Sequence, residues 1–329
     1  VSAPSDDGRH AFRRVVAWSW WEVAFWLVAV ASLFLFPRRL LLINDIAIFG
    51  LFALSLDLIL GYAGIVSLGH VAFFGCGAYV AGLLSVNGYT EPLSALAISG
   101  LAAGLIGFIT SPLILRGSDL TRLMITLGVA SILYEVANRA SDITGGANGL
   151  SGIAIAPIFG LFGFDLFGRT AATYSLAVLF ALFLVARVVV GSPFGLSLRA
   201  IRLNRLRAGA LGMPTHARLI AIYTLGAVYA GIAGALLAET TQFVSLDLLA
   251  FHRSADVLLV LVLGGAGYLY GGLIGAVVFR LMQDALSSLT PQYWEFWIGF
   301  LLVAVVLIGR DRIAIVARLF VRRRAEAQP

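Results

Sequence analysis

Ten apolar runs, at about 20–36, 40–60, 66–86, 93–115, 121–138, 171–190, 218–238, 252–264, 271–289 and 294–309, dominate this chain. A helix needs ~20 apolar residues to cross ~30 Å of hydrocarbon, and several of the runs reach that length. Inside a bilayer every backbone N–H and C=O must find a protein partner, so runs of this kind fold as helices. Only 12% of the 329 residues are charged and 60% are hydrophobic, whereas a soluble domain carries about a quarter charged residues. The expected fold class is an all-α polytopic membrane protein. The 252–264 run is short for a full crossing. It stands alone or forms, with 271–289, two halves of one broken helix, so eight to ten membrane segments are expected.

One run departs from a plain lipid-facing helix. The segment 61-GYAGIVSLGHVAFFGCGAY-79 holds five glycines, a serine and a histidine. Glycine weakens a helix interior and frees backbone groups that hydrocarbon cannot satisfy. Such backbone persists at membrane depth only against other protein or beside a water-filled path, which suggests a translocation pathway more than an anchor. Gly61, Gly64, Gly69, Gly75 and Gly77 read as a close-packing face with a local break. Ser67 and His70 are the polar groups best placed to reach a permeant, with a hydrogen-bonded packing role as the alternative for His70. Asp57 is expected to accept N–H groups freed at 61–64, or else to sit hydrated at the interface. Gly264, Gly265 and Gly267, followed by Gly271 and Gly272, form a second interruption. The spacing of Gly61 and Gly64 recurs in Gly264 and Gly267. Paired glycine-broken segments in two halves of a transporter point to an internal repeat around a midplane pathway, with coincidence as the alternative.

All 23 basic residues are arginine. They fall in loops and tails, so the net charge of +6 reflects membrane topology and a lipid environment rather than nucleic-acid binding. Arg310, Arg312, Arg318, Arg322, Arg323 and Arg324 place a 310–329 tail in the cytoplasm. Ten crossings counted backwards put 187–218, the 116–122 connection and an N-terminal tail at 1–19 on the same side, with 20–309 as the transmembrane domain. The N-terminal tail has no apolar core beside its charges and does not read as a signal peptide. Arg38 and Arg39 oppose the scheme and are expected to snorkel. The 139–170 loop then lies outside, and its turn-rich 144-TGGANGLSG-152 run either folds over a pathway mouth or merely connects. Spacing suggests ion pairs between Arg253 and Asp256, Glu135 and Arg139, and Arg280 and Asp284. Cys76 is the one cysteine, which excludes an internal disulfide and reads as a small packing residue. The histidines are scattered, and neither an H-E-x-x-H nor a G-x-x-x-x-G-K-[ST] run occurs. No enzyme, metal site or cofactor is expected.

The loop 191-GSPFGLSLRAIRLNRLRAGALGMPTHARL-219 is the second informative segment. Residues 196–211 read as a short amphipathic helix, with Leu198, Ile201 and Leu206 on one side and Arg199, Arg202 and Arg205 on another. Gly212 ends it as a C-cap and Pro214 prevents continuation. A short helix in a cytoplasmic loop can rest in a partner's groove and transmit rigid-body motion.

This loop, with 223-YTLGAVYAGIAGALLA-238, resembles the coupling region of the branched-chain amino-acid ABC transporter permeases, and in length and loop pattern the M-type subunit. The 61–79 segment is closer still to that family's early motif. A third match is 243-FVSLD-247 with 254-SADVLLVLVLGGAGYLYGGLIGA-276. The resemblance covers most of 45–309. It implies a bacterial inner-membrane subunit that pairs with a homologous H-type permease, docks two cytoplasmic ATPases and receives substrate from a periplasmic binding protein. It also implies that Leu198, Arg199, Ile201, Arg202, Arg205, Leu206 and Gly212 form the ATPase-coupling element. The chain departs from the family in having Leu203 and Arg205 where acidic residues are frequent, Asp57 for a common Asn, and Gly272 and Leu246 for frequent prolines. The competing function is a stand-alone ion- or proton-coupled transporter using Asp57, Asp256 and His70 as a relay.

Overall fold

The structure, a computed structural model, describes residues 18–300 apart from 159, 161, 166, 167, 294, 295 and 298. Most of the N-terminal tail, most of the 294–309 run and the 310–329 tail lie outside the described residues. Residues up to Ala276 form one packed unit, and those from Val277 onward a second.

The principal helices among the described residues are α1 (Trp20–Leu35), α2 (Leu40–Leu56), α3 (Val71–Val86), α4 (Pro92–Ile114), α5 (Asp119–Arg139), α6 (Arg169–Gly191), α7 (Pro193–Leu203), α8 (Arg205–Ala210), α9 (Thr215–Thr241), α10 (Phe251–Gly264) and α11 (Leu269–Leu289). Among the described residues, six stretches are long and apolar enough to cross a membrane: Pro37–Tyr62, Pro92–Ile114, Asp119–Arg139, Arg169–Gly191, Thr215–Thr241 and Leu269–Leu289. α1 and α3 are shorter apolar helices. The protein is an all-helical, polytopic membrane protein.

Burial sorts these helices. In the most apolar stretch, 78% of residues are buried for Pro37–Tyr62 and 67% for α9, against 17% for α5. A helix that is apolar all round belongs at the centre of a bundle, and α2 and α9 occupy that place. α9 packs most extensively on α4 and α3, and α2 on α6 and α9. Small residues permit this approach. A β-carbon on Gly77 would strike the backbone of Gly231, and one on Gly234 the backbone of Phe74. These contacts bring α3 and α9 together along their length. A polar link ties the central helices to α6: Ser175 Oγ donates to Asn44 Oδ1 at 2.7 Å, and Asn44 Nδ2 donates to Thr240 Oγ1 at 3.1 Å.

One expectation is corrected. The 66–86 run becomes helical only at Val71, because the chain before it is unwound. The 252–264 and 271–289 runs, expected to be either separate or two halves of one broken helix, are two helices that fold back on each other. Gly264 lies against Gly271, and Val260 against Gly275, so α10 and the start of α11 form an antiparallel hairpin with touching backbones. The glycines on this seam permit the fold-back; larger residues would hold the helices apart.

Candidate functional site

α2 does not end cleanly. Its last residues run into a π-helical turn, Asp57–Tyr62, that widens the helix. Gly64 N–H still reaches Leu60 O at 3.2 Å and Ile65 N–H reaches Ile59 O at 3.1 Å. The helix then stops at Gly64, whose φ of +71° suits glycine far better than any residue with a β-carbon. π-turns inside α-helices frequently mark functional sites.

The second glycine interruption folds against the first. Gly267 N–H, at a φ of +88°, donates to Asp57 Oδ1 at 2.7 Å. Asp57 therefore satisfies a freed backbone N–H, as its carboxylate was expected to, but the donor comes from the second break rather than from 61–64. Gly61 has no room for a side chain: its β-carbon would meet Gly267 N and the Asp57 carboxylate. Of the predicted broken-helix residues, the structure thus brings together Asp57, Gly61 and Gly267, while Gly264 and Gly265 lie on the α10–α11 hairpin seam.

Arg202 of α7 joins this junction. Its Nη1 donates to Gly61 O, and its stem runs beside Gly64, where a β-carbon would lie 2.9 Å from Arg202 Cγ. Arg199 stacks its guanidinium over the Tyr62 ring at 5.3 Å. Arg205 Nη1 donates to Leu115 O at 3.3 Å, at the end of α4. Burial and the nearby Arg122 charge hold the Arg205 guanidinium below its ordinary pKa. The expected arginine face is therefore a set of attachments to the ends of two other segments, the π-turn after α2 and the end of α4.

The expected single helix over 196–211 is two. Ser192 Oγ accepts from Gly195 N–H at 3.4 Å and starts α7 with Pro193 in its first turn. At Asn204 the backbone is extended, and Asn204 Oδ1 accepts from Arg207 N–H at 2.9 Å to cap α8. Asn204 prefers to cap rather than continue a helix, which accounts for the break. Gly212 closes α8: its N–H bonds Gly209 O at 2.9 Å, and Met213 N–H bonds Ala208 O at 3.2 Å. Leu198 and Ile201, two of the three residues expected to share one side, are buried. Leu206 is not; it is 88% exposed, and Leu203 is 87% exposed. The break turns both leucines away from the bundle.

Past Gly64, the chain reaches α3 through buried polar groups. His70 Nε2 hydrogen-bonds Ser55 Oγ at 2.8 Å, and its ring stacks on Phe52 at 5.7 Å. Ser67 is fully buried beside Tyr223. Val71 N–H donates to Ser254 Oγ at 3.1 Å, capping α3 from α10. His70 thus has the packing surroundings of its alternative reading.

A mixed-charge cluster was missed by spacing rules. Asp247 Oδ2 accepts from Arg253 Nη2 at 2.7 Å, and Asp247 Oδ1 lies 3.2 Å from His252 Nε2. These residues straddle an extended Ala250, so helical i, i+4 arithmetic does not find them. Leu150, Ile153 and Val244 surround Gly82, whereas Leu248 and Leu249, which follow Asp247, stand on Gly75, two turns or ~10 Å further along α3. The Glu135–Arg139 pair forms at 2.6 Å, and Arg280 Nη1 donates to Gln283 Oε1 at 2.7 Å.

The 139–170 loop is packed rather than a bare connection. Leu150 and Val244 exchange backbone hydrogen bonds at 2.7 and 3.1 Å, Ser85 Oγ donates to Ala154 O at 2.6 Å, and Ala156 N–H donates to Thr90 O at 2.9 Å.

Residues 38–306 match the family described as the permease component of branched-chain amino acid transport systems. The chain is 29% identical over 310 residues to the high-affinity branched-chain amino acid transport system permease protein LivM of Escherichia coli (strain K12), covering 87% of this chain and 72% of that one. It is 30% identical over 311 residues to LivM of Salmonella typhimurium, with the same coverage. It is 27% identical over 240 residues to the probable branched-chain amino acid transport permease protein LivH of Methanocaldococcus jannaschii, covering 70% of this chain and 74% of that one. No solved structure matches.

Proposed function

This chain belongs to the family of permease components of branched-chain amino acid transport systems, and on that premise we propose that it is the M-type membrane subunit of an ATP-driven importer of these amino acids. Its partners are a homologous H-type permease, two cytoplasmic ATPases that supply the nucleotide site, and a periplasmic substrate-binding protein. It sits in the bacterial inner membrane with eight to ten segments and both termini cytoplasmic. Arginine placement supports that orientation. Arg116, Arg122, Arg187, Arg199, Arg202, Arg205, Arg207 and Arg218 cluster at the α7–α8 end. Of those away from it, Arg139 and Arg253 are neutralised by Glu135 and Asp247.

The observation that carries the mechanism is the bond from Arg202 to Gly61 O. α7 and α8 are the coupling element. When the ATPases close on ATP, the loop moves with them, and Arg202 delivers that motion to the junction of the two glycine breaks. Unwound backbone has lost helical hydrogen bonds and bends there in preference to the rigid helices. α3 beyond one break and the α10–α11 hairpin beyond the other then shift together. A pathway between this subunit and its partner opens to alternate sides, with the Asp247–His252–Arg253 cluster on its wet wall.

Arg202→Ala tests this reading in proteoliposomes carrying the complete importer. Loss of a charge-assisted bond that acts in the moving state lowers ATP-driven leucine uptake roughly 10–100-fold. ATPase co-purification stays normal. Arg207→Ala, whose side chain makes no such bond among the described residues, stays within about twofold. Equal uptake by the Arg202 and Arg207 variants would refute the linkage.

A further inference from the structure

We propose that Glu239, at the end of α9 away from the coupling loop, is the anchor of a binding site for a primary ammonium group. Glu239 is 3% exposed, and neither carboxylate oxygen makes a hydrogen bond of full geometry among the described residues. A buried carboxylate left in that state is costly and calls for a cation or a strong donor. It lines a partly enclosed cleft with Ser85, Tyr89, Thr90, Pro92 and Ile155, which has room for about one water-sized group. The Tyr174 hydroxyl stands beside the carboxyl as its one side-chain donor among the described residues, short of full hydrogen-bond geometry, and a single neutral hydroxyl does not balance a buried charge.

The chemistry of the lining selects the occupant. An ionised carboxylate only accepts hydrogen bonds. Ser85 Oγ has already committed its proton to Ala154 O at 2.6 Å, so it turns lone pairs toward the cleft. Glu239 and Ser85 therefore ask for several donors in the volume of one water. An ammonium group has three donors, a positive charge and that size. A divalent metal fits poorly, since no group of three ligating side chains gathers anywhere among the described residues.

The roof of the cleft is the 153–156 segment of the long loop. Two hydrogen bonds hold it there, Ser85 Oγ to Ala154 O and Ala156 N–H to Thr90 O at 2.9 Å. Tyr89, 43% exposed, marks the rim. A group arriving from the side opposite the coupling loop reaches Glu239 once this strap lifts, and is enclosed when it returns. The ammonium site deepens the transport reading above and rests on it only for the source of the group, the amino end of the solute.

The test is carbodiimide labelling of the assembled importer. A hydrophobic carbodiimide modifies buried carboxyls, and fragmentation of the tryptic 219–253 peptide separates Glu239 from Asp247. Leucine and 3-methylbutylamine should each slow Glu239 labelling about tenfold, in line with a charge-assisted contact. 4-Methylpentanoate, which lacks the amino group, and sodium chloride should not. Equal labelling with and without the amines, or equal protection by 4-methylpentanoate or sodium, would overturn the proposal. Glu239→Gln should lower leucine uptake about tenfold with ATPase co-purification retained, and unchanged uptake would overturn the proposal as well. Amine protection in a complex that moves no amino acid would refute the substrate reading and uphold the site.

Discussion

Gly61→Leu is expected to abolish ATP-driven uptake and to lower the yield of assembled subunit, while Gly128→Leu is expected to leave both unchanged. The two positions differ in what a side chain meets. At Gly61 even the first carbon collides with Gly267 N and with the Asp57 carboxylate, whose Cγ would lie 2.8 Å away. The backbone amide cannot rotate aside, because it is the donor that satisfies Asp57 at 2.7 Å. A leucine there must part the two breaks, strand the carboxylate in a site with no other donor to that oxygen among the described residues, and dislodge Arg202 from the Gly61 carbonyl. Overpacking alone costs about 1–3 kcal/mol, and an orphaned buried charge adds several more. The sum exceeds what a marginally stable subunit tolerates. At Gly128, on the sparsely buried α5, a new β-carbon finds open space. Gly104, though it lies in an unbroken helix, is the poorer control, because its β-carbon would stand 2.6 Å from Val228 Cγ2. The measurement is leucine uptake beside detergent-extracted yield. A Gly61→Leu complex that transports like the Gly128 variant would show that the junction is dispensable.

The same residues show what could be read in the chain and what could not. Lipid imposes a length and a polarity on every crossing, so the bounds of α4, α5, α6, α9 and α11 follow from apolar runs to within a few residues. Gly61 and Gly64 announced a break because no single lipid-facing helix tolerates that composition. What lay hidden was which break meets which. The Asp57–Gly267 bond joins residues 210 apart, and the Arg202–Gly61 bond residues 141 apart. No periodicity encodes either pairing. Asn204 carried a usable signal, since an Asn followed three residues later by a free N–H is a capping pattern, and it would have divided 196–211 correctly. Glu239 carried a weaker one: a lone carboxylate near the end of an apolar run reads as an interfacial residue. Only the loop packed over it reveals that it is buried. The Asp247–Arg253 pair escaped because it spans an extended residue rather than a helical turn.

The division of the loop into α7 and α8 makes the second large effect predictable. Leu198 and Ile201 are spent on the bundle, at 0% and 3% exposure. Leu203 and Leu206 project on either side of the Asn204 break at 87% and 88% exposure. Two neighbouring leucines so exposed at the end of a subunit, outside the crossing helices, have no lipid to explain them. They fit a docking knob that a partner's groove covers. The arginines that would otherwise compete for that groove are partly occupied elsewhere: Arg199 on Tyr62 and Arg205 on Leu115 O. Leu203→Asp with Leu206→Asp in one chain should therefore eliminate ATPase co-purification. Burying two leucines contributes about 3–6 kcal/mol, and two uncompensated carboxylates in their place oppose docking further. The H-type partner should still co-purify, because neither side chain contacts the crossing helices that would meet it. Retention of the ATPases by the double variant would remove α7–α8 as the docking element and return the role of the loop to a bare connection. Loss of both partners together would place the defect in folding. Leu203→Met with Leu206→Met then discriminates, because it preserves the apolar surface and should restore docking.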